Sequence, residues 1–115
     1  MFLGYLDFID EEFAQCGTLK CLQQKRKELY LNLQETFFSL SSLSVDNSNR
    51  MDFLLFQAYI EIKFFNKFLT FGNVSVSKGY LKFVDYKKRW TCEALDEYGD
   101  ALVLGEFKSR LGLAC

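Results

Sequence analysis

The stretch that decides the fold is RMDFLLFQAYIEIKFFNKFLTF, residues 50–71. Its apolar residues recur at helical spacing and cover most of the circumference of a helix. A helix that is apolar nearly all round is usually the buried central element of a domain. The stretch therefore predicts a core helix, with Phe56, Ile60 and Phe64 buried along it.

Two amphipathic segments precede this stretch. Residues 2–15 place their large apolar side chains on one helical stripe, which consists of Phe2, Leu6, Ile9 and Phe13. Residues 19–40 do the same with a second stripe, which consists of Leu22, Leu29, Leu33, Phe37 and Leu40. We therefore expect three helices, over residues 2–15, 19–41 and 50–71.

Glycine, serine and asparagine mark the helix ends, because the chain contains no proline. Gly17 is predicted to end the first helix, and Thr18 to cap the second. The serine-rich stretch 39–48 predicts a loop. Asn49 is predicted to cap the third helix, and Gly72–Asn73 to end it.

The chain after residue 73 supports two interpretations. Ser77 can cap a fourth helix that runs to about residue 95, which we favour, whereas the alternating residues 74–84 also fit a β-hairpin. Residues 101–107 fit a strand or a short helix equally well. The predicted fold class is mainly α, a compact bundle of four to five helices in a single domain over residues 1–115. The alternative is an α+β fold with a small C-terminal antiparallel sheet after residue 73.

The composition excludes several functions. The chain has 115 residues, of which 50% are hydrophobic and 17% aromatic, so it can bury a sizeable core. It contains no histidine, which rules out a Ser-His-Asp triad, a Cys-His pair and an HExxH zinc site. No glycine-rich phosphate loop occurs either. We therefore expect no enzymatic activity, no cofactor and no bound metal.

The four cysteines and the termini bear on the compartment. Cys16, Cys21, Cys92 and Cys115 are expected to be reduced, because a chain this large and apolar does not need disulfides. The N-terminus lacks the basic region of a signal peptide. The most apolar stretch, residues 51–71, carries acids and lysines that a bilayer does not accept cheaply. We expect a soluble, cytoplasmic protein that does not bind membranes.

Two surface groups are candidate binding sites. The acidic face consists of Asp7, Asp10 and Glu11 and is bordered by Tyr5 and Phe8; acids beside aromatics suit contact with a basic partner. There are two short basic runs, Lys25–Lys27 and Lys87–Trp90, and the second lies beside Tyr86 and Trp90; basic groups interleaved with aromatic rings can hold single-stranded nucleic acid. The net charge of −1 argues against nucleic acid.

In overall character the chain resembles the small cytosolic immunity proteins of bacterial toxin systems, such as those of contact-dependent growth inhibition. The resemblance lies in the length, the many Phe and Tyr residues, the mild acidity and the lack of a catalytic motif. It implies a protein that binds one cognate toxin domain, with a nuclease as the expected toxin, and blocks its activity. The alternative is a small nucleic-acid-binding regulator that uses the two basic runs. The oligomeric state is left open.

Overall fold

The protein is mainly α-helical. The computed structural model describes residues 3–38, 47–72 and 74–115. Its five helices are α1 (Leu3–Ala14), α2 (Leu19–Phe38), α3 (Asn47–Leu69), α4 (Lys78–Tyr98) and α5 (Ala101–Leu111). These residues contain no strand, so the three predicted helices and the favoured fourth are confirmed, and the alternative C-terminal sheet is wrong.

The helix boundaries differ from the prediction by one to three residues, most clearly at the start of α3. α3 begins at Asn47, so Asn49 lies inside the helix and is not its cap. Of the predicted loop, residues 47 and 48 belong to α3, and the remaining positions, 39–46, lie outside the described residues, as does Asn73. The apolar spacing places a helix reliably, but it does not locate the first turn to better than a few residues.

The central helix is α3, which contacts each of the other four helices. α1 contacts α2, and α4 contacts α5, so two helix pairs enclose α3. Phe56, Ile60 and Phe64 are buried, as predicted. An apolar surface all round the helix is explained by this position, because every side of α3 faces a neighbour.

Side-chain caps start three of the helices. The Thr18 hydroxyl accepts a hydrogen bond from the backbone N–H of Cys21 at 3.1 Å, which confirms the predicted cap of α2. Ser77 accepts from the N–H of Tyr80 at 3.1 Å at the start of α4, also as predicted. Asp100 caps α5 by accepting from the N–H of Val103 at 2.8 Å. Each cap satisfies a backbone donor that the first turn leaves unpaired.

The C-terminal end of α5 is held against α3. Gly112 follows α5 in the left-handed conformation, with φ +68°, and its N–H donates to the carbonyl of Lys108 at 2.9 Å. The amide of Asn66 on α3 donates to the carbonyl of Leu111 at 3.1 Å. Lys63 donates to the carbonyl of Arg110 at 3.3 Å. These bonds orient the last turn of α5, which carries Arg110.

All four cysteines form disulfides, so the expectation of four reduced thiols is wrong. Cys16 pairs with Cys21, and Cys92 pairs with Cys115, with Cα–Cα distances of 5.3 and 5.6 Å. The first disulfide joins the α1–α2 connection to the first turn of α2, and the second joins Cys115 to α4. The expectation rested on what the composition requires, whereas pairing depends on which cysteines the helices bring within bonding range.

Candidate functional site

The fold divides the acidic face in two. Asp7, Phe8 and Glu11 are exposed on the outward side of α1. Asp10 is only partly exposed and turns towards α3 and α5. The outward part of the acidic face is therefore a short stripe of two carboxylates, one helical turn apart, with an aromatic ring beside it.

Asp10 belongs to an internal charge network centred on Arg110. The guanidinium donates to Asp7 at 2.7 Å, to Asp10 at 3.0 Å and to Glu106 at 2.8 Å. Asp10 also accepts from the Tyr59 hydroxyl at 2.5 Å. The hydrogen bond to Glu106, followed by those to the two aspartates, raises the pKa of Arg110. This network joins α1 to α3 and α5 and neutralises part of the predicted acidic face.

The rings of Tyr5 and Phe8 pack together beside that stripe. Their ring centroids lie 5.7 Å apart, and the Tyr5 ring packs on Phe56 of the core at 4.8 Å. The Tyr5 hydroxyl donates to Asn32 on α2 at 2.9 Å. Burial raises the pKa of Tyr5 to about 12, so the phenol stays protonated and keeps this bond. Phe8 is 37% exposed and is the outward member of the pair.

The first basic run, Lys25–Lys27, is largely neutralised. Lys25 pairs with Glu12 at 3.1 Å and with Glu28 at 3.6 Å. Arg26 pairs with Glu61 at 2.7 Å. Lys27 is exposed and has no ion pair among the described residues. One of its three cations is therefore left for a ligand.

One buried carboxylate, that of Glu61, is not among the site residues predicted from the sequence. Glu61 lies in the middle of α3 and is 2% exposed. Its oxygens accept from the Arg26 guanidinium, from the Tyr30 hydroxyl at 2.5 Å and from the Tyr80 hydroxyl at 2.9 Å. Burial, together with the Glu61 carboxylate, raises the pKa of both tyrosines. The sequence signal for this site was an acidic residue among the apolar residues of α3, because a buried carboxylate requires hydrogen-bonding or charged partners.

Residues from the two basic runs line one cavity. It has a volume of about 360 Å³ and lies beside Glu61, between α2, α3 and α4. Its lining includes Arg26 and Lys87, together with Tyr30, Gln34, Gln57 and Phe83. A second cavity, of about 330 Å³, lies beside Asp10, Lys63 and Arg110. Both are small clefts, and the charged groups paired within them are Arg26 with Glu61 in the first and Asp10 with Lys63 and Arg110 in the second.

The second basic run, Lys87–Trp90, lies along α4 next to aromatic rings. The ammonium of Lys87 lies 5.5 Å from the centroid of Phe83 and 6.0 Å from that of Trp90. Lys88 lies 5.8 Å from the centroid of Phe65. Arg89 is exposed, and no residue of this run has an acidic partner within the described part of the chain. This run therefore keeps its positive charge available at the surface.

The described residues contain neither a metal-binding cluster nor a helix that could span a membrane. No group of three or more cysteine or carboxylate side chains is arranged there to hold a metal ion. No helix there is both long and apolar enough to cross a bilayer. Comparison with family models, with curated proteins and with solved structures finds no match for this chain.

Proposed function

We propose that this chain is a small binding protein that neutralises a cognate protein toxin by covering its active surface. The observation that carries the proposal is the outward side of α1, where the exposed ring of Phe8 contacts Tyr5 beside the carboxylates of Asp7 and Glu11. The contact would comprise these residues with Tyr5, which supports the ring of Phe8. Asp10 would contribute indirectly, because it holds the Arg110 guanidinium, which in turn positions Asp7.

Pre-ordering is the physical reason for choosing this surface. An aromatic side chain held by its neighbours loses little conformational freedom on binding, which is why such residues dominate binding energy at interfaces. Tyr5 is fixed by Phe56 and Asn32, so the pair presents a ready-made contact.

The negative charge of this surface indicates what kind of partner it would bind. Glu11 is exposed and has no ion pair among the described residues, and Asp7 remains exposed beside Arg110. A toxin that cuts nucleic acid has a basic active surface, and fixed carboxylates would speed the encounter with it. The partner is therefore expected to be a basic protein, with a nuclease domain as the leading candidate.

Growth rescue in bacteria tests the proposal. The protein encoded directly upstream of this chain would be expressed alone and together with it. We expect growth arrest alone and recovery with the chain present. Phe8→Ala and Glu11→Lys should each abolish recovery, because they remove the aromatic contact and reverse the unpaired charge.

Matched variants separate binding from general damage. Leu81→Ala removes another exposed apolar side chain, and Asp85→Lys reverses another exposed acid, both on α4. Both should keep full recovery. If the neighbouring product causes no arrest, or if the α1 variants rescue as well as the wild type, this function is wrong.

A second candidate is binding of single-stranded nucleic acid. It is favoured by the uncompensated cations of Lys87–Trp90 beside Phe83. The neutralised first basic run weakens it. Fluorescence anisotropy with a labelled oligonucleotide tests it, because affinity through phosphate contacts must fall steeply as the salt concentration rises.

The cytoplasmic location expected from the sequence is also a proposal, and the two disulfides argue against it. Cytosolic thiols are kept reduced, whereas disulfides persist in oxidising compartments. Thiol labelling in intact cells distinguishes the two cases. Four reactive cysteines would support the cytoplasm, and four blocked cysteines would place the chain in an oxidising compartment.

A further inference from the structure

Charge is distributed along α4 in the order that the helix itself disfavours. Residues 78–89 carry five cations, which are Lys78, Lys82, Lys87, Lys88 and Arg89, against the single acid Asp85. The rest of the helix carries Glu93, Asp96 and Glu97 and no cation. The helix dipole favours acids at the N-terminus and cations at the C-terminus. α4 has the reverse, with no acid in its first turn and no base in its last.

These charges have no acidic or basic partner within the described part of the chain. The ion pairs there involve α1, α2, α3 and α5 and leave α4 out. The outward residues Lys82, Arg89, Glu93 and Glu97 are all exposed. The charges of α4 are therefore free to pair with those of another molecule.

The outward side of α4 also has the spacing of a helix-pairing surface. The residues that recur along it at alternating steps of three and four are Phe83, Tyr86, Trp90, Glu93 and Glu97. Phe83 is 41% exposed and Tyr86 is 55% exposed, while Trp90 is partly exposed. One half of the stripe is thus aromatic and flanked by cations, and the other half is acidic.

We propose that this surface binds a second copy of the chain through antiparallel pairing of the two α4 helices. A two-fold axis near Trp90 would bring Lys82 and Arg89 of each copy alongside Glu93 and Glu97 of the other. Tyr86 and Trp90 from both copies would pack near the axis. Parallel pairing would oppose like charges, so charge complementarity selects the antiparallel arrangement and a closed dimer.

Paired charge reversal tests this inference. The first variant, Lys82→Glu with Arg89→Glu, makes the outward side of α4 acidic along its whole length. The second, Glu93→Lys with Glu97→Lys, makes it basic along its whole length. Sedimentation velocity on the full, oxidised chain would measure the dimer dissociation constant over a range of protein and salt concentrations.

The wild type should dimerise, and its dissociation constant should rise with salt. Each double variant should weaken its own dimer by about a hundredfold or more, because attractive contacts become repulsive. An equimolar mixture of the two variants should dimerise again, because one helix is then acidic and the other basic. Recovery in the mixture also demonstrates that both variants are folded.

A charge-matched control is Lys20→Glu with Lys27→Glu on α2, where both residues are exposed. This variant should dimerise like the wild type. A wild type that stays monomeric, or a mixture that stays monomeric, would overturn the inference. So would a monomer whose α4 cations bind an oligonucleotide with steep salt dependence. The inference does not depend on the toxin partner, since that contact lies on α1.

Discussion

Replacing Glu61 by glutamine should cost about 3 kcal/mol of folding free energy, toward the lower end of what is lost when one partner of a buried ion pair is removed. The substitution keeps the shape of the side chain and removes its charge. In the wild type, Nη2 of Arg26 donates to Oε1 at 2.7 Å and to Oε2 at 2.8 Å, and Nε donates to Oε2 at 3.1 Å. Glutamine offers one acceptor oxygen, and its amide nitrogen would face donor groups.

The magnitude follows from how deeply each group is buried. Glu61 is 2% exposed, and breaking a buried ion pair by removing one partner costs about 3–5 kcal/mol. The Arg26 side chain is 34% exposed, so its guanidinium can turn partly to water, which favours the lower end of that range. The hydroxyls of Tyr30 and Tyr80 compete for the one remaining oxygen, which keeps the loss from being smaller.

Urea melts of wild type and variant measure this loss, provided that the slope of the transition is unchanged. The matched control is Glu28→Gln, which removes the charge from an exposed pair with Lys25 and should cost less than about 0.5 kcal/mol. A second variant tests the mechanism. Arg26→Met combined with Glu61→Leu leaves no unpaired charge, so it should be more stable than Glu61→Gln alone.

Two outcomes would refute this reasoning. One is a loss below about 1 kcal/mol for Glu61→Gln, which would mean that the carboxylate is hydrated or replaceable. The other concerns the variant that combines Arg26→Met with Glu61→Leu. Its loss of stability must not equal the sum of the losses from Arg26→Met alone and Glu61→Leu alone, because independent sites add and a coupled pair does not.

Two further predictions concern the disulfides and the tyrosines. Removing the Cys92–Cys115 disulfide by two Cys→Ser changes should cost about 3 kcal/mol of folding free energy, and removing Cys16–Cys21 about 2 kcal/mol, because the longer loop restricts the unfolded chain more. Equal losses in urea melts would contradict this. An intact mass unchanged by reductant would show that neither disulfide forms. The second prediction is a loss of stability above pH about 10, the ordinary tyrosine pKa. Burial in the folded state raises the pKa of four phenols, those of Tyr5, Tyr30, Tyr59 and Tyr80. Above pH about 10 these groups lose their protons more readily in the unfolded chain than in the folded one. Unfolding therefore releases protons there, and the free energy of unfolding falls as the pH rises. Melts on either side of that pH should show a steeper decline for the wild type than for Tyr59→Phe, and equal declines would contradict the assignment.

The helices could be predicted because their signal is local. The stripe that contains Leu6, Ile9 and Phe13 repeats within a few residues, and all three are buried on one side of α1. Ser77 was predicted to cap α4 for the same reason, since a cap bonds the chain three residues further on. The same spacing made Asp10 a member of the acidic face, and its turn towards α3 and α5 was not visible.

The sequence by itself determined that the chain is helical, that most of residues 50–71 belong to its central helix and that Asp7 and Glu11 lie outward. Only the tertiary structure decided the charge partners and the cysteine pairs. Arg110 reaches Asp7 across 103 positions of sequence, and Glu61 reaches Arg26 across 35. Helical periodicity is set by backbone geometry within a few residues, whereas a long-range pair forms only where packing brings two helices together. The same limit applied to the cysteines, whose spacing alone did not reveal that Cys115 returns to α4.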